Sequence, residues 1–410
     1  MNNHTTSFYR PELDALRFLA FLLVFCHHAF VSSFIGRLST LPWAERIPAA
    51  IVLGGEFGVD LFFILSAYLI SELLIREKAA SGQVQVGRFY MRRILRIWPL
   101  YFTFVVFCFI LPLFTPSIFP FKAFVCFLLL SGNWYCVLHA AIPSPVSPLW
   151  SVSIEEQFYL VWPWVVRKAK SIHLIIFSCA LIAIAICTRL VLAIHSAPRP
   201  SVWFNSFTHM DAIGAGILIA VLLKGRAPHL QVSLRISCFI LALLLLGLST
   251  SVFDVLNART TATIALMGYG CGILAAVLLF LAFLGAPEDG IEFLAARKLA
   301  YLGRISYGLY VVHQFVLEAV KVTLLKTLGE SPAALQLVLA LGPTILLAAL
   351  SYRWLESPFL RLKRRFQSVS TDQTRLNPVD NDRPDACNLP TVAPSEKDRR
   401  PASETCTEAA

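Results

Sequence analysis

Long apolar stretches run through most of this 410-residue sequence, and they restrict its fold more than any other feature. A stretch of about 20 apolar residues can cross a bilayer as a helix, which satisfies its backbone hydrogen bonds internally. The sequence contains ten such stretches, at residues 15–34, 57–75, 94–113, 149–166, 172–194, 209–223, 236–253, 263–284, 305–325 and 333–354. We therefore predict an all-α integral membrane protein, a polytopic bundle of about ten transmembrane helices.

The composition agrees with this class of protein and argues against others. Hydrophobic residues make up 57% of the chain and charged residues only 15%, which is typical of a polytopic membrane protein. The net charge of +10 comes from basic residues that flank apolar stretches, so we expect lipid and no nucleic acid as a partner. Most of the ten cysteines lie inside apolar stretches and none forms a C-x-x-C pair, so we expect no metal site.

The basic residues also predict the topology. With the N-terminus in the cytoplasm, fifteen Lys and Arg residues lie in cytoplasmic connections and seven in outer ones, as the positive-inside rule requires. Both termini are then cytoplasmic. A further apolar run at residues 121–130 is too short to span and must not cross, so we expect a re-entrant or interfacial segment there.

The two ends of the chain differ in character. No small-residue cleavage site follows the first apolar run, so we expect it to be retained as a span. Beyond residue 365 the composition changes to Ser, Thr, Asp, Pro and Asn, which predicts a membrane domain at 1–365 and a disordered cytoplasmic tail at 366–410.

The first predicted helix carries polar groups on one face. Asp14, Arg17 and His28 project from the same side, and His28 lies roughly 16 Å beyond Arg17, in the outer half of the membrane. Such a stripe should face the bundle interior or a water-filled cavity. It is either part of a functional site or a hydrogen-bonded stripe that locks helix packing, and the second interpretation suits His27, which points elsewhere.

A second polar group lies in the helix predicted at 149–166. Ser151, Glu155 and Tyr159 are spaced by four residues and share one face, with Glu155 in the same half of the membrane as His28. A carboxylate and an imidazole at matching depth can act as an acid/base pair. The alternative is an acid stabilised near a helix N-terminus, which we favour for Glu156.

Three arginines stand at the predicted cytoplasmic mouth of the third span. Arg92, Arg93 and Arg96 could hold the phosphates of a nucleotide-containing ligand or anchor the protein to anionic lipid. Asp60, below the outer surface, could orient a catalytic or substrate group. The other polar residues at membrane depth indicate structural partners in buried networks: Arg189, His209, Asp211 and His313.

Several of these segments, in this order, resemble the acyltransferase family 3 membrane proteins, which include O-antigen and exopolysaccharide O-acetyltransferases. The resemblance rests on an Arg-x10-His pattern in the first span and on five motifs: GVDLFFILSAYLI at 58–70, RRILRIWPLY at 92–101, WSVSIEEQFYLVWP at 150–163, GRISYGLYVVHQ at 303–314 and LSYRWLESPF at 350–359. Together they extend from about residue 10 to 365.

The resemblance implies transfer of an acyl group, usually acetyl from acetyl-CoA, to a hydroxyl of an extracytoplasmic glycan such as lipopolysaccharide or exopolysaccharide. It implies a bacterial cytoplasmic (inner) membrane protein that uses acyl-CoA as a substrate and binds no permanent cofactor. It assigns these roles: His28 the catalytic histidine, Arg17 its motif partner, Ser151 and Glu155 a Ser-x3-Glu pair, and Arg92, Arg93 and Arg96 the donor-associated arginines. No hydrolase-like domain follows the last span, so we expect this domain to act alone or with a separate partner.

The chemistry that we expect has His28 as a general base on the acceptor hydroxyl, with Glu155 or Asp60 orienting the imidazole. An acyl-enzyme on His28 is the second route. A different class of function is also open, a transporter or flippase of a glycolipid or organic acid that uses the buried His, Glu and Arg residues as a relay.

Overall fold

The computed structural model describes residues 10–115, 118–140, 142–226, 228, 230–285, 295–329 and 331–366, except the side chains of 295–298 and 364. Over these residues the regular structure is helical, with one isolated bridge between Pro198 and Arg259. The α-helices are α1 Pro11–Phe34, α2 Trp43–Leu53, α3 Gly58–Ser81, α4 Val86–Ile110, α5 Phe121–Leu128, α6 Gly132–His139, α7 Trp150–Lys168, α8 Ser171–Ile194, α9 Arg199–Trp203, α10 Met210–Leu223, α11 Val232–Ser251, α12 Tyr269–Phe283, α13 Ala295–Arg304, α14 Ser306–Leu328, α15 Ala333–Ser351 and α16 Ser357–Lys363. The predicted all-α membrane class is confirmed; of the predicted tail, residues 367–410 lie outside the described residues.

Among the described residues, nine helical segments are long and apolar enough to cross a membrane, one fewer than the ten stretches that we identified. The difference is α7, which has 19 residues and includes two glutamates and two basic residues. A helix of that length extends about 28 Å, which is close to the thickness of the hydrocarbon core. Its two glutamates are half-buried in the part of the bundle where it packs against α3, α4 and α6, and its two basic residues are exposed in its last turn.

The apolar run at 121–130 forms α5, a helix of only eight residues. At 1.5 Å per residue it is far too short to cross the membrane. Leu130, with a φ of 54°, then turns the chain into the equally short α6, which packs against α5. The expectation that this run does not span therefore agrees with the structure.

Helix α3 lies at the centre of the bundle. It packs against α1, α7, α10 and α12, and 14 of its 24 residues are buried, against three of 19 in the peripheral α15. Glycines allow the neighbouring backbones to approach: a Cβ on Gly58 would lie 2.6 Å from the carbonyl oxygen of Ala20 in α1. Small residues at such crossings are the usual basis of helix packing in membranes, where dispersion replaces the hydrophobic effect.

Several helix ends meet at one end of the bundle, which we call the basic end and define by Arg17, Arg92, Arg93, Arg96 and Lys363. The Arg10 and Arg76 guanidiniums both donate to the carbonyl of Gly225, which joins the start of α1 to the end of α3. Arg92 Nη1 donates to the Phe366 carbonyl at 2.9 Å, which brings the last described residue to the start of α4. The first and last described segments therefore lie at the same end, and its assignment to the cytoplasm stays a prediction.

Candidate active site

The imidazole of His28 lies against a second imidazole that comes from α14. His28 Nδ1 and His313 Nε2 are 3.2 Å apart, and His313 is completely buried, with the rings of Phe21 and Phe25 packed edge-on against it. His28 itself is half-buried. The ring of His27 turns away and hydrogen-bonds through Nδ1 to the Leu53 carbonyl at 2.7 Å, as the structural interpretation of that residue predicts.

The hydrogen bonds fix the tautomers of both rings. His313 Nδ1 lies 2.6 Å from the carbonyl oxygen of Tyr310, which can only accept, so Nδ1 carries the proton. In a neutral His313, Nε2 is then an acceptor, and the proton of the His28–His313 hydrogen bond belongs to His28 Nδ1. His28 Nε2 is therefore left with an unprotonated lone pair, which is what a general base requires.

Helix α14 also connects His28 to the predicted Ser-x3-Glu segment of α7. The hydroxyls of Ser151 and Tyr310 are 2.8 Å apart, and Tyr310 also donates to the Pro148 carbonyl at 2.8 Å. Since the carbonyl of Tyr310 holds His313, one residue of α14 joins Ser151 of α7 to the His28–His313 pair.

Glu155 is not hydrogen-bonded to His28. Its carboxylate accepts from the Tyr159 hydroxyl at 3.1 Å, and that hydroxyl also hydrogen-bonds to Ser66 of α3. The direct acid/base contact that we expected is therefore replaced by an indirect arrangement, in which Glu155 interacts electrostatically with Tyr310 and Arg93. Helix α14 contacts both segments, because Tyr310 hydrogen-bonds to Ser151 of α7 and His313 hydrogen-bonds to His28 of α1.

Asp60 orients a different histidine from the one that we expected. Its carboxylate bonds His209 Nδ1 at 2.7 Å, and His209 Nε2 lies 2.7 Å from the Trp203 carbonyl. Because both ring nitrogens face acceptors, His209 donates from both and forms an ion pair with Asp60. The pair is completely enclosed, with the Trp150 ring 5.3 Å from the His209 ring, so it is a structural element of the α3–α10 contact.

The predicted polar face of α1 leads from His28 to the basic end. Asp14 and Arg17 form an ion pair, as their shared face suggests. Arg92 pairs with Glu77 at 3.0 Å in addition to its bond to Phe366. Arg93 stacks over the Tyr159 ring at 5.6 Å, which places this guanidinium beside the Glu155–Tyr159 pair.

The contact of His313 with His28 is one that the sequence analysis did not predict, since we assigned His313 only to a buried structural network. A signal was present: Tyr307, Tyr310 and His313 recur every third residue of α14 and so lie along one broad helix face. Nothing local in the sequence placed that face opposite His28.

Comparison with known proteins identifies relatives of the chain. The family model described as an acyltransferase domain matches residues 10–353. The peptidoglycan O-acetyltransferase OatA of Listeria monocytogenes is 26% identical over 382 residues, covering 85% of this chain and 56% of that protein. The O-acetyltransferase OatA of Staphylococcus aureus strain NCTC 8325 is 27% identical over 375 residues, covering 85% of this chain and 57% of that protein.

The chain therefore spans somewhat more than half the length of these curated relatives. No solved structure matches it.

Proposed function

This chain belongs to the acyltransferase domain family, and we propose that it is a membrane-embedded O-acyltransferase. In this proposal an acyl group, with acetyl as the first candidate, moves from acyl-CoA on the cytoplasmic side of a bacterial inner membrane to a hydroxyl of an extracytoplasmic glycan. Relatives named O-acetyltransferase support the reaction type. The Listeria relative's name adds peptidoglycan to lipopolysaccharide and exopolysaccharide as acceptor classes.

The observation that carries this proposal is the His28–His313 pair, which leaves Nε2 of His28 unprotonated. The Nδ1 proton of His28 is held by His313, whose own Nδ1 proton is held by the Tyr310 carbonyl. The hydrogen bond from His28 Nδ1 to the neutral His313 ring becomes stronger when His28 is protonated to an imidazolium, because hydrogen bonds to charged groups are stronger. His313 therefore has the position that an orienting carboxylate has beside other catalytic histidines.

The proposed step is direct transfer. Nε2 of His28 takes the proton of the acceptor hydroxyl while the hydroxyl oxygen attacks the thioester carbonyl carbon. The carbon–sulfur bond then breaks, and the imidazolium returns its proton to the departing CoA thiolate. In the alternative route, His28 Nε2 attacks the thioester carbonyl carbon and the CoA thiolate leaves. The acceptor hydroxyl then attacks the acyl carbon on Nε2, the nitrogen–carbon bond breaks, and the hydroxyl proton passes to the thiolate.

In this proposal the acyl-CoA donor binds at the basic end. Phosphate groups of acyl-CoA are recognised by guanidinium and ammonium groups, which are concentrated there. Glu155 acts in this scheme as a positioning residue, because its carboxylate holds the Tyr159 hydroxyl and faces Arg93. The thioester arm then extends from the basic end towards His28, roughly 16 Å along α1 from Arg17.

The test uses purified protein in detergent with radiolabelled acetyl-CoA and a glycan acceptor. An acyltransferase releases free CoA and labels the acceptor without a gradient, whereas a transporter or flippase leaves the thioester intact. His28→Ala should lower turnover by about 10²- to 10⁴-fold, the usual contribution of a general base. His27→Ala is the matched control, since His27 is held by the Leu53 carbonyl and should retain turnover if the variant folds. Equal turnover in wild type and His28→Ala contradicts the assignment.

A further inference from the structure

The last described helix returns to the start of α4. Helix α16 packs against α4, and Phe366, three residues beyond the end of α16, is held there by the bond from Arg92 to its carbonyl at 2.9 Å. Lys363, the last residue of α16, is thereby brought into electrostatic contact with Arg17, Arg93 and Arg96. The sequence places this lysine more than 260 residues away from the arginine motif, and only the fold brings them together.

The charges at the basic end are not balanced. Asp14 pairs with Arg17, and Glu77 pairs with Arg92, so two of the five cations have a carboxylate. Within the described residues, Arg93, Arg96 and Lys363 form no ion pair. Glu356 interacts electrostatically with Arg96, but its hydrogen bond is made with Ser351.

The environment of Arg93 shows that this imbalance is built into the fold. Its Nε is buried without a hydrogen-bond partner among the described residues, and its guanidinium stacks over the rings of Phe89 and Tyr159. Stacking fixes the plane of the guanidinium and leaves its edge available for an anion. Glu155 interacts electrostatically with Arg93, as Glu356 does with Arg96, but neither carboxylate forms an ion pair with them among the described residues. Converging cations that lack such partners attract a ligand that carries several negative charges.

We propose that Lys363, Arg93 and Arg96 form the phosphate site of the donor, and that α16 is one wall of that site. Arg92, which the sequence analysis grouped with the other two arginines, instead fastens α16 in place through Phe366 and pairs with Glu77. A phospholipid headgroup offers a single phosphate, whereas CoA offers a pyrophosphate and a phosphomonoester, which suit three cations better. This inference rests on the proposed function, because it assumes an acyl-CoA donor.

The experiment compares variants of the full chain in two measurements, equilibrium binding of CoA and steady-state kinetics with acetyl-CoA. Lys363→Gln should weaken CoA binding and raise KM about tenfold or more, with kcat little changed, because a charge-assisted contact is lost. Lys363→Arg should restore most of the affinity. Arg361→Gln is the matched control, since it removes a charge from an exposed position of the same helix and should leave both measurements unchanged.

A second donor probe, acetyl-dephospho-CoA, lacks the phosphomonoester. If Lys363 binds that group, wild type should bind the probe more weakly than acetyl-CoA, and Lys363→Gln should not weaken binding of the probe further. If removal of the phosphomonoester weakens binding equally in wild type and in Lys363→Gln, Lys363 instead contacts the pyrophosphate. Both results support the site.

The two proposals fail in different ways. Weaker CoA binding in Lys363→Gln, with no CoA release by wild type from acetyl-CoA, contradicts the proposed function and supports the site. Normal turnover with unchanged binding and KM in a folded Lys363→Gln variant overturns the site. An effect of Lys363→Gln that appears only in vesicles containing phosphatidylglycerol, at unchanged KM, also overturns it and assigns the lysine to a lipid headgroup.

Discussion

Replacing His313 by leucine should slow the proposed transfer without removing the base. The substitution deletes the Nε2 acceptor that lies 3.2 Å from His28 Nδ1, and it leaves a side chain of similar size among Phe21 and Phe25. His313→Gln is the matched variant, because its amide oxygen can accept the Nδ1 proton and its amide nitrogen can donate to the Tyr310 carbonyl.

The size of the effect follows from the charge that His28 acquires. A hydrogen bond to a charged group contributes about 1.5–3 kcal/mol, and about 1.4 kcal/mol corresponds to a factor of ten in rate. His313→Leu should therefore lower kcat by about 10- to 150-fold, less than the largest loss expected for His28→Ala. His313→Gln should retain most of the activity.

The assay is release of CoA at saturating acetyl-CoA, measured by chromatography, because the ten cysteines of the chain would react with a thiol reagent. Gel filtration and thermal unfolding establish that the variants are folded. Wild-type kcat in a folded His313→Leu, or an equally large loss in His313→Gln and His313→Leu, refutes the role assigned to this histidine.

Two further predictions concern the ion pair of α3 and the arginines of α4. Asp60→Ala should reduce the free energy of unfolding by about 3–5 kcal/mol, because it leaves His209 buried without its carboxylate. Asp60→Leu combined with His209→Phe should recover much of the thermal stability, and the absence of recovery argues against an ion pair. Arg96→Gln should raise KM for acetyl-CoA about tenfold or more, while exposed Arg88→Gln should not; equal KM values in both variants favour lipid anchoring.

Most of the helical architecture could be predicted because membrane spans are encoded locally. Length and apolarity alone identify a span, and the predicted run at 172–194 corresponds to α8 at Ser171–Ile194 almost residue for residue. Helix α7 shows the limit of that logic. Its two glutamates are half-buried against neighbouring helices, and that packing is a property of the fold.

The candidate site was predictable in its residue types and only partly in its contacts. Helical spacing correctly put Asp14 beside Arg17, since residues three positions apart in a helix are neighbours on its surface. Depth in the membrane put Glu155 level with His28 but carried no information about rotation and packing of α7 against α1. The intervening α14, and with it His313, follows only from tertiary structure.

The central claim is that a donor binds at the basic end and that its acyl group is transferred across the membrane to a hydroxyl that His28 deprotonates. Proteoliposomes with radiolabelled acetyl-CoA supplied outside and a glycan acceptor trapped inside test this claim directly. For molecules whose basic end faces outwards, we expect labelled glycan in the lumen and free CoA outside, with both lost in His28→Ala. Intact acetyl-CoA, or equal labelling of the luminal glycan by wild type and His28→Ala, contradicts the account.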